Sequence, residues 1–286
     1  MKMGEFTANA TFREVEIDGY RTGALDLLAA GRRIISVPSQ LGCKVGCTFC
    51  ISSKQPLIRN LAAAEMLAMV NTCFLALDAN AYPVDLSFTG EGEPLINWKQ
   101  TEQVVQELAS QGVIESVRYC LSGLGCDKLL PKVNTSILPT RLQVSLHAAR
   151  QDVRNRLVPN SEPLLVLEAV LREQAQRFSA VELNVVLQPG VNDSKEDLNA
   201  LATWGDSSWP IILNPLLTQE HARIAEHTEH FAEELRAAGR TVKIYKKIAQ
   251  EICENNLYDK MRAQPISFLR DLPPLSSIDS LYNSFT

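Results

Sequence analysis

Gly42-Cys43-Lys44-Val45-Gly46-Cys47-Thr48-Phe49-Cys50 is the stretch that decides how this chain is read. Three cysteines fall within eight residues at a C-x3-C-x2-C spacing. Three soft thiolates on one short loop suit an iron–sulfur cluster or another thiophilic metal. A [4Fe–4S] cubane normally takes four cysteines, and this run offers three. One iron would then keep an open position for a substrate or cofactor, which makes the loop a candidate for catalysis as well as electron storage. Two rival readings stand beside it. A structural zinc site pairs two C-x2-C units or adds histidines at set distances; here there is one C-x2-C, and the histidines are His147, His221, His227 and His230. The other rival is a chance grouping of buried thiols.

Outward from the loop, an apolar stretch at 33–38 runs straight into Ser39-Gln40 and the first cysteine. From residue 32 on, apolar strands alternate with amphipathic helical stretches. Strands are expected at 33–38, 84–89, 116–121, 141–147, 181–187 and 210–215, with a further one at 241–246. Helices are expected at 62–77, 98–111, 164–178, 195–204 and 229–238, with a short one at 127–133. Such alternation implies an α/β fold, a parallel sheet with crossover helices. Six strands with ligand groups at their C-terminal ends suit a partial (β/α)6 barrel, open on one side.

The flanks differ in character. Residues 1–31 read as a small β-rich extension: 11–17 alternates weakly, Asp18-Gly19 reads as a turn, and 21–28 pairs back. The core barrel then covers 32–250 and a C-terminal segment 251–286, whose tail from Gln264 carries Pro265, Pro273, Pro274 and several serines and is expected to be irregular and partly mobile. With 286 residues, 45% of them hydrophobic and 21% charged, the chain can bury a full core. No apolar run approaches the ~18 residues of a membrane span, and the N-terminus has no apolar signal core. Seven cysteines without a signal point to a reducing compartment and a cytoplasmic location. The net charge of −5 counts against a large ribosomal RNA footprint, since phosphate neutralisation calls for a basic face.

The cysteine spacing, placed after the first strand of an α/β barrel, resembles the signature of the radical S-adenosylmethionine (radical SAM) superfamily. The resemblance implies that Cys43, Cys47 and Cys50 hold a [4Fe–4S] cluster. It implies that SAM chelates the fourth iron through its amino and carboxylate groups. One electron, from a donor such as flavodoxin or ferredoxin, then yields methionine and a 5′-deoxyadenosyl radical. Phe49 matches an aromatic common at that place. Further segments resemble the RlmN/Cfr branch, whose members methylate adenine in 23S ribosomal RNA. These are Ser39 through Cys43 with Arg59-Asn60-Leu61, Thr89-Gly90-Glu91-Gly92-Glu93-Pro94-Leu95-Ile96-Asn97, and Ser145-Leu146-His147-Ala148 with Arg154 and Leu157-Val158-Pro159. Gly190-Val191-Asn192-Asp193 and Asn214-Pro215 complete the set. The resemblance places SAM contacts at Gly92, Glu93, Ser122, Ser145, Leu146, His147 and Asn214, and Cys120 falls where the branch has a serine contact. Gly92 would let backbone approach the ligand, and Glu93 would hold its ammonium.

The chain departs from the branch at the methyl-transfer machinery. The resolving cysteine, seven residues before the first cluster cysteine, is Ser36 here. Near the C-terminus, alignment on the acidic-Ile pair puts Asn256 where the methyl-carrying cysteine belongs, with Cys253 three residues early. The branch's upstream acidic residue and its helical RNA-binding domain also have no counterpart. The expectation is therefore a radical SAM enzyme that abstracts hydrogen from a non-ribosomal substrate: a small metabolite, nucleotide or peptide. Two alternatives remain. One is an RNA methyltransferase with Cys253 as catalytic carrier and Cys120 or Cys126 as resolver; the other is a non-catalytic iron–sulfur sensor or binding protein.

Overall fold

The computed structural model describes residues 8–29, 31–76, 82–217, 222–223, 225–255, 257 and 259–266. One ten-stranded sheet runs through them. Its strands are β1 (Ala8–Ile17), β2 (Tyr20–Ala29), β3 (Arg32–Val37), β4 (Val84–Phe88), β5 (Ser116–Leu121), β6 (Thr140–Ser145), β7 (Ala180–Val186), β8 (Ile211–Asn214), β9 (Val242–Ile244) and β10 (Gln264–Pro265). From β3 to β9 the strands lie in chain order and pair in parallel. The helices between them are α1 (Ala63–Ala76), α2 (Trp98–Ser110), α3 (Cys126–Leu129), α4 (Gln151–Leu157), α5 (Leu164–Gln174), α6 (Lys195–Thr203) and α7 (Thr228–Ala237), with α8 (Lys246–Glu254) after β9.

The two faces of this sheet differ in kind. In β5, Val117, Tyr119 and Leu121 are buried in the main core, whereas Arg118 and Cys120 point the other way. The same alternation runs through β4, β6 and β7: Leu86, Val144 and Leu183 join the main core, and Asp85, Gln143 and Asn184 line cavities. A parallel sheet buried on both faces normally reads as continuous apolar runs. Here the alternation shows that the inner face of the curled sheet is a polar lumen.

The N-terminal hairpin β1–β2 joins the sheet antiparallel to β3, and β10 pairs with β2. The sheet edges are thus β1 and β9, and α8 bridges them. It leaves β9 through Tyr245 and packs on β1, where the Ala10 N–H donates to Glu251 Oε1 at 3.2 Å. A separate apolar cluster of Ala10, Leu27, Ala29, Ile252 and Leu257 seals this side. The expected strand at 241–246 is shorter than its pattern, because α8 takes over at Lys246. Gln264 and Pro265, expected in an irregular tail, pair with the start of β2, and residues 267–286 lie outside the described residues. No helix among the described residues is long and apolar enough to cross a membrane.

Candidate active site

The cysteine loop leaves the C-terminal end of β3 and is held at both ends. Gln40–Leu41 pairs antiparallel with Arg59–Asn60, and the Ile58 N–H donates to the Leu41 carbonyl at 2.8 Å. Gly42 has φ +76°, and a Cβ there would sit 2.0 Å from the Pro56 carbonyl oxygen, so only glycine fits. The loop rests on α4: Val45 packs with Val153, Leu157 and Val158, the Thr48 N–H donates to the Leu157 carbonyl at 3.0 Å, and Asn160 Nδ2 donates to Lys44 O at 3.1 Å. Cys43, Cys47 and Cys50 are free, half-buried thiols. Burial pushes Cys43 up to about 11 and Cys47 higher still, with Cys50 adding to both and Cys43 adding to Cys47. Bare, these two stay protonated at neutral pH, so metal loading releases protons.

Among the described residues no three His, Cys, Asp or Glu side chains converge on one metal ion. Three free, half-buried thiols on one loop are a donor set whose softness fits a [4Fe–4S] cluster with one iron left free.

After β4 the chain turns sharply through Gly92 at φ +101°, where a Cβ would lie 2.7 Å from Gln40 Cβ and 2.8 Å from Ser39 Oγ. The turn delivers Glu93 to the interior. Its N–H donates to Gln40 Oε1 at 2.8 Å, and its carboxylate accepts from Ser122 N–H at 2.7 Å and Ser122 Oγ at 2.5 Å. Burial raises Glu93 to about 7, and the Ser122 bonds oppose that shift. Glu93 and Ser122 thus hold each other across the ends of β4 and β5. Sequence reasoning missed Glu91, also buried, whose Oε2 accepts the Ala263 N–H at 2.9 Å.

His147, at the end of β6, has φ +57°, a conformation rare outside glycine. Its N–H donates to Asn184 O at 3.0 Å, and Asn192 Nδ2 donates to its carbonyl at 2.7 Å. Nδ1 accepts the Val186 N–H at 3.2 Å, which leaves the proton on Nε2. The ring meets Phe49 edge-on at 4.7 Å. Burial, with the Arg154 charge, lowers this histidine from 6.5 to about 3. The unfolded chain therefore binds a proton below pH 6.5 that the fold refuses until about pH 3. Relative to His147→Asn, which tolerates positive φ, wild-type protein is expected to lose about 1.4 kcal/mol of stability per pH unit as pH falls through that window. Denaturant titrations of the metal-free proteins at pH 7, 6 and 5 check this, and parallel curves would contradict it.

Ser145, His147 and Asn214 line a cavity of about 320 Å³ together with Cys50 and Cys120. Leu146 is fully buried, and its carbonyl accepts from Arg154. Gly92, Glu93 and Ser122 are not in the lining among the described residues; Glu93 and Ser122 form a buried brace. Sequence reasoning missed Gln143, Asn184 and Tyr245 in the wall, whose only signal was a polar residue at every second strand position. Cys120 Sγ donates to Gln143 Oε1 at 3.1 Å, and Gln143 Nε2 donates to Glu182 at 3.0 Å. α8 contributes Ile248, Ala249 and Ile252; Cys253 is buried and is not in the lining. Ser36 pairs with Ser87 in the sheet, Cys126 is buried outside the lining, and Asn256 lies outside the described residues.

A sequence profile described as the Radical SAM superfamily matches residues 37–202. A probable dual-specificity RNA methyltransferase RlmN of Chlorobium chlorochromatii is 32% identical over 221 residues, 73% of this chain and 60% of that protein. A dual-specificity RNA methyltransferase RlmN of Caulobacter vibrioides is 34% identical over 181 residues, 58% of this chain and 44% of that one. The chain thus spans about half the length of the curated relatives it matches. Among solved structures, a radical SAM methyltransferase from Sphaerobacter thermophilus superposes with a TM-score of 0.71 at 27% identity, covering 84% of this chain and 77% of that one. SuiB of Streptococcus suis bound to S-adenosylmethionine shares the fold at TM-score 0.54 and 10% identity, over 76% of this chain and 51% of that one.

Proposed function

The chain belongs to the radical SAM superfamily, an enzyme with a [4Fe–4S] cluster and SAM as cofactors, and from that premise we propose that it abstracts hydrogen from a non-ribosomal small substrate held in the barrel lumen. Bound together, the reduced cluster and SAM supply one-electron cleavage of the sulfonium and a carbon radical able to take a hydrogen atom. Cys43, Cys47 and Cys50 hold the cluster. The His147 Nε2–H is a fixed donor at the cavity wall, and Ser145 and Asn214 offer further polar contacts for SAM. The Glu93–Ser122 brace sets the positions of the strand ends around them. α8 and the N-terminal hairpin cover the open side of the sheet, so the lumen is shielded from solvent there. A flavodoxin or ferredoxin supplies the electron.

What supports this reading over two-cysteine methyl transfer is the thiol content of the cavity. Beside Cys50, only Cys120 reaches its wall among the described residues. α8 presents Ile248, Ala249 and Ile252 there, and the lumen row of β3 carries Ser36. A second reading, methylation of RNA with Cys253 as carrier, is favoured by the names of the curated relatives. One experiment separates them. Protein reconstituted anaerobically with SAM and dithionite is expected to release 5′-deoxyadenosine, to show no methyl group on Cys253 by mass spectrometry, and to keep that activity in Cys253→Ala. A methylated Cys253 together with an inactive variant would select the second reading.

A further inference from the structure

Beneath the cavity described above lies a second one of about 650 Å³, nearer the N-terminal ends of the strands. The two share Tyr245 and Ile248 and are lined by the same inward-facing strand rows, one above the other. The charged lining of the lower chamber is Arg32, Asp85, Arg118, Arg141, Lys243 and Lys246. Five cations face one carboxylate.

The acids within reach are already engaged. Asp85 accepts both arms of Arg32, at 2.7 and 2.6 Å, and the Ser116 hydroxyl at 2.5 Å. Glu115 reaches Arg32 at 3.3 Å, and Glu229 takes Lys246 at 2.5 Å. Glu182, near Arg118 and Tyr245, accepts from Gln143. Arg118, Arg141 and Lys243 enter no ion pair or hydrogen bond among the described residues, and the buried Nε of Arg118 has no partner. The five cations against Asp85, Glu115, Glu229 and Glu182 leave about one net positive charge, and Arg118, Arg141 and Lys243 are the cations without a partner of their own. Two of them are guanidinium forks, whose planar donors match phosphate oxygens. Arg141 and Lys243 are exposed, but Arg118 is half-buried and its Nε is fully buried without a partner, a costly state, so the chamber suits a ligand that brings the anion.

We propose that the substrate is a phosphorylated small molecule whose phosphate is bound by Arg118, Arg141 and Lys243 while its reacting carbon lies in the upper cavity beside Cys120 and Gln143. This rests on the reading of the upper cavity as the reaction site and narrows its substrate class. Strand geometry sets the span. Each of the three cations lies two residues before a wall residue of the upper cavity: Arg118 before Cys120, Arg141 before Gln143, and Lys243 before Tyr245. At ~3.3 Å per residue the two rows are about 7 Å apart, a few bonds between phosphate and reacting carbon.

The probe is inorganic pyrophosphate, titrated calorimetrically into the reconstituted, SAM-loaded protein, with citrate at equal ionic strength as the carboxylate control. Saturable pyrophosphate binding is expected, at least about tenfold tighter than citrate. The double variant Arg118→Gln/Arg141→Gln is expected to weaken it by at least about tenfold, and Lys243→Met, on an exposed side chain, by a factor of a few. No pyrophosphate binding, binding unchanged in Lys243→Met and in a folded double variant, or citrate binding as tightly would overturn the assignment. Formation of 5′-deoxyadenosine in the absence of pyrophosphate scores the proposed function separately, so the two ideas fail by different readouts.

Discussion

Cys43→Ala, Cys47→Ala and Cys50→Ala proteins, each reconstituted anaerobically, are expected to lack the broad absorbance near roughly 400 nm of a [4Fe–4S] cluster and to form no detectable 5′-deoxyadenosine from SAM. In a cubane held by this loop each thiolate would bind a different iron, so no neighbouring thiol would take over the missing bond. Cys126 and Cys73 are buried elsewhere, and Cys120 is engaged with Gln143. The loss is specific because the loop does not depend on its sulfurs for shape. The pairing of Gln40–Leu41 with Arg59–Asn60, the Gly42 turn and the floor of Val45 on α4 all remain. Removing one half-buried sulfur costs the metal-free protein about 1 kcal/mol or less. Thermal unfolding of the metal-free variants should therefore stay close to wild type while chemistry disappears. Wild-type SAM cleavage in any single variant would show that the cysteine in question is not a ligand.

What could be read in advance depended on how local each signal is. The cluster loop is a matter of spacing along nine residues, and β3, which carries it, is an apolar run that ends where the loop begins. β5 was legible to the residue, since Val117, Tyr119 and Leu121 alternate cleanly with polar neighbours. Other features are set by distant contacts. α4, of seven residues, spans only about two turns, too few for a distinct periodic pattern, and its apolar side supports the cysteine loop. α8 carries Ile248 and Ile252 one turn apart, yet the β-branched run before it reads as continued strand. Only the edge of β1 explains why the chain turns helical there. Glu93 was expected at the SAM ammonium. The structure gives its carboxylate two bonds from Ser122, a pairing between residues 29 apart in sequence that no motif encodes. The lumen residues Arg118, Gln143 and Asn184 became visible only once the sheet curled and assigned one face to the helices and the other to a cavity.

Arg154→Met is expected to destabilise the metal-free protein by about 3–5 kcal/mol, roughly the cost of breaking a buried charged network. A fall of roughly 10 °C in melting temperature follows for a chain of this size. Arg154 is fully buried. One guanidinium nitrogen donates to the carbonyls of Ser145, at 2.9 Å, and Leu146; another donates to that of Ser122 at 2.5 Å. It thereby joins the ends of β5 and β6 to α4, on which the cysteine loop rests. Methionine fills similar volume but leaves three buried carbonyls without these donors, each worth about 1–3 kcal/mol when unsatisfied. Burial lowers Arg154 to about 10, while Cys47, Cys126 and Glu93 act to hold its proton, so the charge persists at neutral pH. That charge also favours the thiolate of Cys47, so Arg154→Met should take up iron less completely than wild type even where it is folded. Arg154→Lys separates the two contributions. An ammonium restores the charge but cannot span carbonyls on two strands with one planar fork, so iron loading should recover further than melting temperature does. A melting temperature within about 2 °C of wild type for Arg154→Met would mean that the strand ends are held by the Glu93–Ser122 brace alone, and the guanidinium would then be left with only an electrostatic part beside the cluster loop.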